Sequence, residues 1–212
     1  MRKIAAMSAA LLVSSLAHGA MSLDFYSCQS LENLGSYNGT MTWSYAGGSS
    51  GTLSVTLNNT SNAANGGFLT GFGFNAAPTT LGGALTTGLP EWSYLENEPA
   101  SPYENFDFGA ATEGSFLGGG QPAFGVAAGA SFTFVFTFSG DAGVLAGLDA
   151  NSFFDDSAPA GYGFIARFRG FDNGGSDKVI ACLEPNAVPV PMPVALAAAG
   201  LLGVGVLRRR MK

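Results

Sequence analysis

The chain is 212 residues long with a formal charge of −6, and the stretch from Asp24 to Glu184 sets fifteen acidic residues against Arg167, Arg169 and Lys178 alone, a net −12. A surface of that sign repels nucleic acid and anionic lipid. Two cysteines and one histidine, His18, fall short of the ligand set of a zinc site, and the stretch from Asp24 to Glu184 has no imidazole base for a serine or cysteine triad.

Met1-Arg2-Lys3 is a basic start, Ile4 to Leu16 an apolar and small-residue run, and Ala17-His18-Gly19 offers small residues where a signal peptidase cuts. Residues 1–20 therefore read as a signal peptide, and its removal takes the histidine with it. Phe25-Tyr26-Ser27 is too bulky to make Cys28 a lipid-bearing cysteine. The stretch of residues 21–185 is long enough for one domain with its own core.

From there the dominant period is two. Thr40 to Tyr45 reads as a strand. Thr52 to Leu57 alternates so that Leu53, Val55 and Leu57 share one face. Phe68, Thr70, Phe72 and Phe74 are expected on one face of the next strand, with Leu69, Gly71 and Gly73 opposite. Trp92 to Leu95 and Tyr103 to Phe108 supply weaker strands. Phe132, Phe134, Phe136 and Phe138 place four rings on one side of a single strand, and burying them contributes roughly 6–12 kcal/mol. Asp141 to Leu148 reads as the one helical turn, and Tyr162 to Phe171 with Val179 to Leu183 as a hairpin about Asp172–Asp177. Clusters of Gly, Asn, Pro and Ser at Gly47–Gly51, Asn58–Gly67, Ala76–Gly83, Pro99–Pro102 and Gly118–Pro122 read as turns and loops. Short strands at this spacing predict an all-β domain, a single antiparallel β-sandwich of jelly-roll type.

Cys28 and Cys182 stand near the two ends of that domain. An even pair in an exported chain reads as a disulfide. Closing a loop of about 155 residues removes unfolded-state entropy worth roughly 5 kcal/mol in the chain-entropy model.

Three constellations are candidates for chemistry. Asp149, Asn151, Asp155 and Asp156, and separately Asp172, Asn173 and Asp177, supply hard oxygen ligands in loops, the chemistry calcium takes. Neither set has the EF-hand spacing, and a hairpin turn calls for the second set by itself. Trp43, Tyr45, Trp92 and Tyr94 are the candidates for a glycan-binding face, against the alternative that they close the edges of the fold. Glu91, Glu96, Glu98 and Glu104 flank aromatic residues in a composition compatible with a sugar cleft and a glycosidase carboxylate pair, but acidic residues are plentiful on this surface and solvated loop charges explain them without catalysis. No other cofactor is indicated.

The last segment, residues 186–212, differs in kind. Pro189, Pro191 and Pro193 keep a spacer extended. Val194 to Leu207 is an apolar run of fourteen residues, as a helix roughly 21 Å long against a hydrocarbon core of ~30 Å. Arg208, Arg209 and Arg210 close it on the side that the positive-inside rule makes cytoplasmic. The run is either a short single-pass anchor or a transient stop that holds the chain until a protease cuts it. Val190-Pro191-Met192-Pro193-Val194, the small-residue helix and Arg208–Arg210 resemble the VPLPA-CTERM variant of the PEP-CTERM bacterial sorting signals. The resemblance covers about an eighth of the chain and implies processing by an exosortase-type membrane protease after passage through the inner membrane.

The sequence therefore leads us to expect an exported, non-catalytic surface or extracellular-matrix protein, with signal peptidase and the exosortase-type protease as processing partners. Exopolysaccharide is the candidate matrix partner, and nucleic acid is none. A calcium-assisted carbohydrate-binding module is the alternative, and a glycan-cleaving enzyme the third.

Overall fold

The computed structural model describes residues 21–77, 80–118, 121–157 and 161–184. The signal peptide and the sorting tail, including Val190, Pro191, Met192, Pro193, Val194 and Arg208–Arg210, lie outside the described residues. Among the described residues eleven strands form in chain order: β1 (Met21–Ser30), β2 (Tyr37–Ser44), β3 (Ser50–Asn59), β4 (Gly66–Phe74), β5 (Gly82–Thr87), β6 (Trp92–Pro99), β7 (Asn105–Thr112), β8 (Val126–Ala127), β9 (Ser131–Ser139), β10 (Phe164–Phe171) and β11 (Ser176–Leu183). Among the described residues one short α-helix, α1 (Ala142–Gly147), comes after β9, and the Asp141 carboxylate caps it by accepting from the amides of Gly143 and Val144.

The expected all-β antiparallel fold is present, but not as two stacked sheets. All the strands join in one sheet, ordered β5-β9-β3-β2-β1-β11-β10-β4-β7-β6 with β8 on β4, and that sheet rolls nearly into a barrel. The physical reason is the ladder between the first and last strands. Phe25 pairs with Leu183, Tyr26 with Cys182 and Ser30 with Val179, which bridges the gap that would separate the layers of a sandwich. Cys28 sits at a bulge in this ladder and bonds to Cys182, with the Cα atoms 5.6 Å apart.

Alternation fills the barrel. Tyr37, Met41 and Trp43 of β2, Leu53, Val55 and Leu57 of β3, and Phe134, Phe136 and Phe138 of β9 are all buried in one core. Thr133, Val135 and Thr137 take the other face, and Phe132, at the rim, is half-buried against Phe134. Across the interior, β4 meets β9. Phe72 lies 4.9 Å from Phe134 and Phe74 5.4 Å from Phe136, centroid to centroid, within the range where ring pairs add to simple burial.

The expected register of β4 fails at its first half. Gly71 pairs with Arg167 but Leu69 with Phe168, so Thr70 is an extra residue in the ladder. This bulge reverses the alternation. Leu69 joins Phe72 and Phe74 in the core, and Phe68 turns outward.

The two ends of the sheet, β5 and β6, come together without a ladder among the described residues. Tyr94 closes this seam from β6. A Cβ on Gly83 of β5 would stand 2.3 Å from the Tyr94 hydroxyl, so a side chain there would have to push the ring aside. On the opposite face of β10 and β11 lies a second apolar cluster, in which Ile165 and Ile180 pack with Phe106, Ala111 and Phe116. Two further features of the sheet differ from the expected pattern. β1 is a strand outside the expected set, and β5 falls partly within the expected Ala76–Gly83 loop.

Candidate functional site

The aromatic candidates belong mainly to the core. Trp43 is 4% exposed and lies on Phe153, with centroids 4.9 Å apart; Trp92 is 8% exposed and lies on Phe134 at 4.5 Å. The Trp92 indole N–H donates to the Phe124 carbonyl at 2.8 Å. Tyr45 is half-buried and donates its hydroxyl to the carbonyls of Gly48 and Ala142. Tyr94 is half-buried at the seam, and burial first, then the Glu96 charge, pushes its hydroxyl well above the usual phenol range. Strand parity explains the tryptophan at 43, since it continues the inward series Tyr37, Met41. These four residues do not form one exposed platform.

The acidic candidates divide. Asp149 turns inward on its own loop, accepting from the amide and the hydroxyl of Ser152 at 3.0 and 3.1 Å and from the Asn151 amide at 3.2 Å. Asp155 accepts from the amide and hydroxyl of Ser157. Asp156 is exposed beside it. Asp172 and Asn173 occupy the exposed β10–β11 turn, where the Asn173 side chain accepts from Gly175 at 2.8 Å. Among the described residues no group of three or more His, Cys, Asp or Glu is placed to hold a metal ion together.

Asp177 is different from the rest of its set. It is 2% exposed, and its two oxygens are aimed away from the turn, into the loop that joins β1 to β2. Oδ2 accepts from the Ser30 hydroxyl at 2.6 Å and from the amides of Leu34 and Gly35, both at 2.9 Å. Oδ1 accepts from the amides of Leu31 and Glu32 at 3.2 and 3.0 Å. Burial opposes the charge, and the hydrogen bonds from Gly35, Ser30, Leu34 and Glu32 outweigh it, holding the carboxyl below the usual aspartate range. Its lone pairs already face donors. The residue acts as an internal anion for a nest of backbone amides, pinning residues 30–35 over one end of the barrel.

Arg167, Arg169 and Lys178, the cations of the −12 segment, gather at one place. Arg167 pairs with Lys178 across β10 and β11, and Arg169 is two residues further on. Arg167 donates to the Phe116 carbonyl, Arg169 to that of Gly118 at 3.2 Å, and Lys178 to that of Ser101. These bonds tie down the loops that come after β6 and β7. Burial, then the neighbouring cation, lowers the pKa of both Arg167 and Lys178 from their ordinary values. Of the glutamates read as a carboxylate pair, Glu91, Glu96 and Glu104 are exposed, while Glu98 is half-buried and accepts from the Ser115 hydroxyl and the Phe116 amide in the same loop.

A cleft of about 260 Å³ opens beside the disulfide, lined by Cys28, Gln29, Phe154, Asp156, Tyr162 and Cys182 among others. Local sequence pattern does not reveal it, because its walls come from β1, β11 and the chain between α1 and β10. Among the described residues no helix is long and apolar enough to cross a membrane. No protein-family model, no curated protein and no solved structure matches this chain.

Proposed function

We propose that this chain is a non-catalytic protein of the cell surface or extracellular matrix, exported through its N-terminal signal and processed at its C-terminal sorting tail by an exosortase-type protease. The observation that carries the reading is the union of the two terminal strands. β1 and β11 are neighbours, and the Cys28–Cys182 bond locks them, a covalent link suited to an oxidising, extracytoplasmic compartment. The Glu184 amide donates to the Asp24 carbonyl at 3.3 Å, so the ladder runs to the end of the described domain, between the proposed signal and the proposed tail. Both proposed processing sites then lie in sequence outside the strands that form this ladder.

Further support comes from where the polar residues are spent. Asp177, Glu98, Arg167, Arg169 and Lys178 all hold loops in place, a use that fits a structural role. Exopolysaccharide is the matrix partner of this reading, and with Trp43 and Trp92 committed to the core it would be met by other surface groups.

Truncating the chain after Pro185 tests the proposal. The shortened protein should be exported, folded, disulfide-bonded and released from the cell, with a denaturation midpoint equal to that of the processed protein. Release with full retention of fold supports a tail that governs retention. Unfolding or aggregation of the truncated protein would show that the tail packs on the barrel, and continued attachment to the cell would show that the tail is not what holds it.

A further inference from the structure

We propose that the Cys28–Cys182 disulfide is a site of thiol–disulfide exchange in the folded protein, attacked at Cys28 by small cationic or neutral thiols that the adjoining cleft admits. The inference is independent of how the tail is processed. Three observations place the reaction at this bond.

The first is access. Cys28 is exposed whereas Cys182 is half-buried, and both line a cleft of about 260 Å³, room for a small thiol but not for a folded thioredoxin-like partner to enter. Exchange proceeds by attack of a thiolate on a reachable sulfur, so the sulfur of the more exposed residue, Cys28, is the proposed target. The second is backbone freedom. Cys28 falls at the register shift between Ser27 and Gln29, so its own position in the ladder has no cross-strand partner. Opening the bond leaves the pairs on both sides in place, Ser27 with Ala181 and Gln29 with Ile180. The Asp177 hydrogen bonds to residues 30–35 provide a second link between β11 and the end of β1. The third is charge. Asp156 stands in the cleft wall of a −12 domain, which selects against anionic thiols and for cationic ones.

In the step, a thiol loses its proton to solvent and its sulfur bonds to the Cys28 sulfur. The Cys28–Cys182 bond breaks, and Cys182 leaves as a thiolate that takes up a proton. The protein gains one thiol molecule and no other oxidant or reductant is needed. The released Cys182 remains beside the mixed disulfide, so removing the free thiol restores the original bond.

Native protein is incubated at low ionic strength with cysteamine, a cation, and separately with 3-mercaptopropionate, an anion of similar size. Rates are followed by intact mass after acid quenching, and each is divided by the rate for the same thiol on the chain in urea, which cancels the thiols' intrinsic reactivities. The expected product is heavier by one thiol molecule, with the adduct on Cys28 by peptide mapping. The normalised rate for cysteamine should exceed that for 3-mercaptopropionate by on the order of 25-fold, since a unit charge about 4 Å away in water raises one rate and lowers the other by about fivefold each. Asp156→Asn should bring the two normalised rates together. No adduct without denaturant, an adduct confined to Cys182, or equal normalised rates in the unaltered protein would each overturn the proposal.

Discussion

Phe72→Ala should lower the stability of the barrel by about 3–5 kcal/mol, read as a fall in the denaturation midpoint with an unchanged denaturant slope. The size of the effect comes from where the ring sits. Phe72 is 0% exposed and is the point at which β4 meets the far side of the sheet, touching Phe134 and Phe136 of β9, Trp92 of β6 and Phe164 of β10. Removing it opens a void between the two sides of the rolled sheet, and the neighbouring rings, held in their own strand registers, can close it only partly. Phe132→Ala, at the rim end of the β9 series that Phe72 packs against, is the control. Its ring is half-buried at the rim, and its loss should cost less than half as much. Equal effects at 72 and 132 would show that the interior is not the packed core described.

Asp177→Asn should be nearly as damaging, at about 2–5 kcal/mol, although it changes one heavy atom. The carboxylate presents acceptors on both oxygens to four amides and a hydroxyl. An asparagine can turn its carbonyl to one set only, and its NH2 then faces donors that lose their partner inside the protein, each at roughly 1–3 kcal/mol. The same geometry sets a pH dependence. The folded-state carboxyl titrates below its unfolded value, so its contribution is fully present above the ordinary aspartate value of about 4. It falls as pH drops below that value and is gone once pH has passed through the depressed folded one. Unfolding curves between neutral pH and pH 2 should therefore lose stability on acidification more steeply for the unaltered protein than for Asp177→Asn. Parallel curves would contradict the anion-in-a-nest description.

Much of the sheet was legible because a half-buried strand must alternate. Leu53, Val55, Leu57 and Phe134, Phe136, Phe138 declared their faces directly. The cysteines declared their bond because no partner residue allowed another use. What escaped did so for physical reasons. The extra residue at Thr70 is visible only once β10 is known to be the partner, so Phe68 and Leu69 exchanged faces. β5 carries Gly82 and Gly83, a turn signature, and is a strand because β9 offers it a ladder, while the glycine at 83 leaves room for Tyr94. The single-sheet topology depends on the β1–β11 ladder, a contact between the two ends of the domain that local pattern does not contain.

The surroundings of the candidate residues were less legible, though two of them did carry a signal. Trp43 stands on the inward series of Tyr37 and Met41, which marks it as core. Asp177 stands on the inward series of Val179 and Ala181, and an inward carboxylate must have internal donors. The gathering of Arg167, Arg169 and Lys178 could be anticipated only in part. Two of the three share a strand face, but their roles depend on loops that return from β6 and β7.

The intact mass of the mature protein is the most direct test of the proposed export and processing. The full 212-residue chain is produced in a bacterium that carries an exosortase-type protease, recovered from the surface and the medium, and weighed before and after reduction. The expected chain starts near Met21, ends within the proline spacer before the apolar run, and gains two hydrogens on reduction. A mature protein whose mass still includes Arg208–Lys212 would contradict this reading, and the tail would then be a plain membrane anchor.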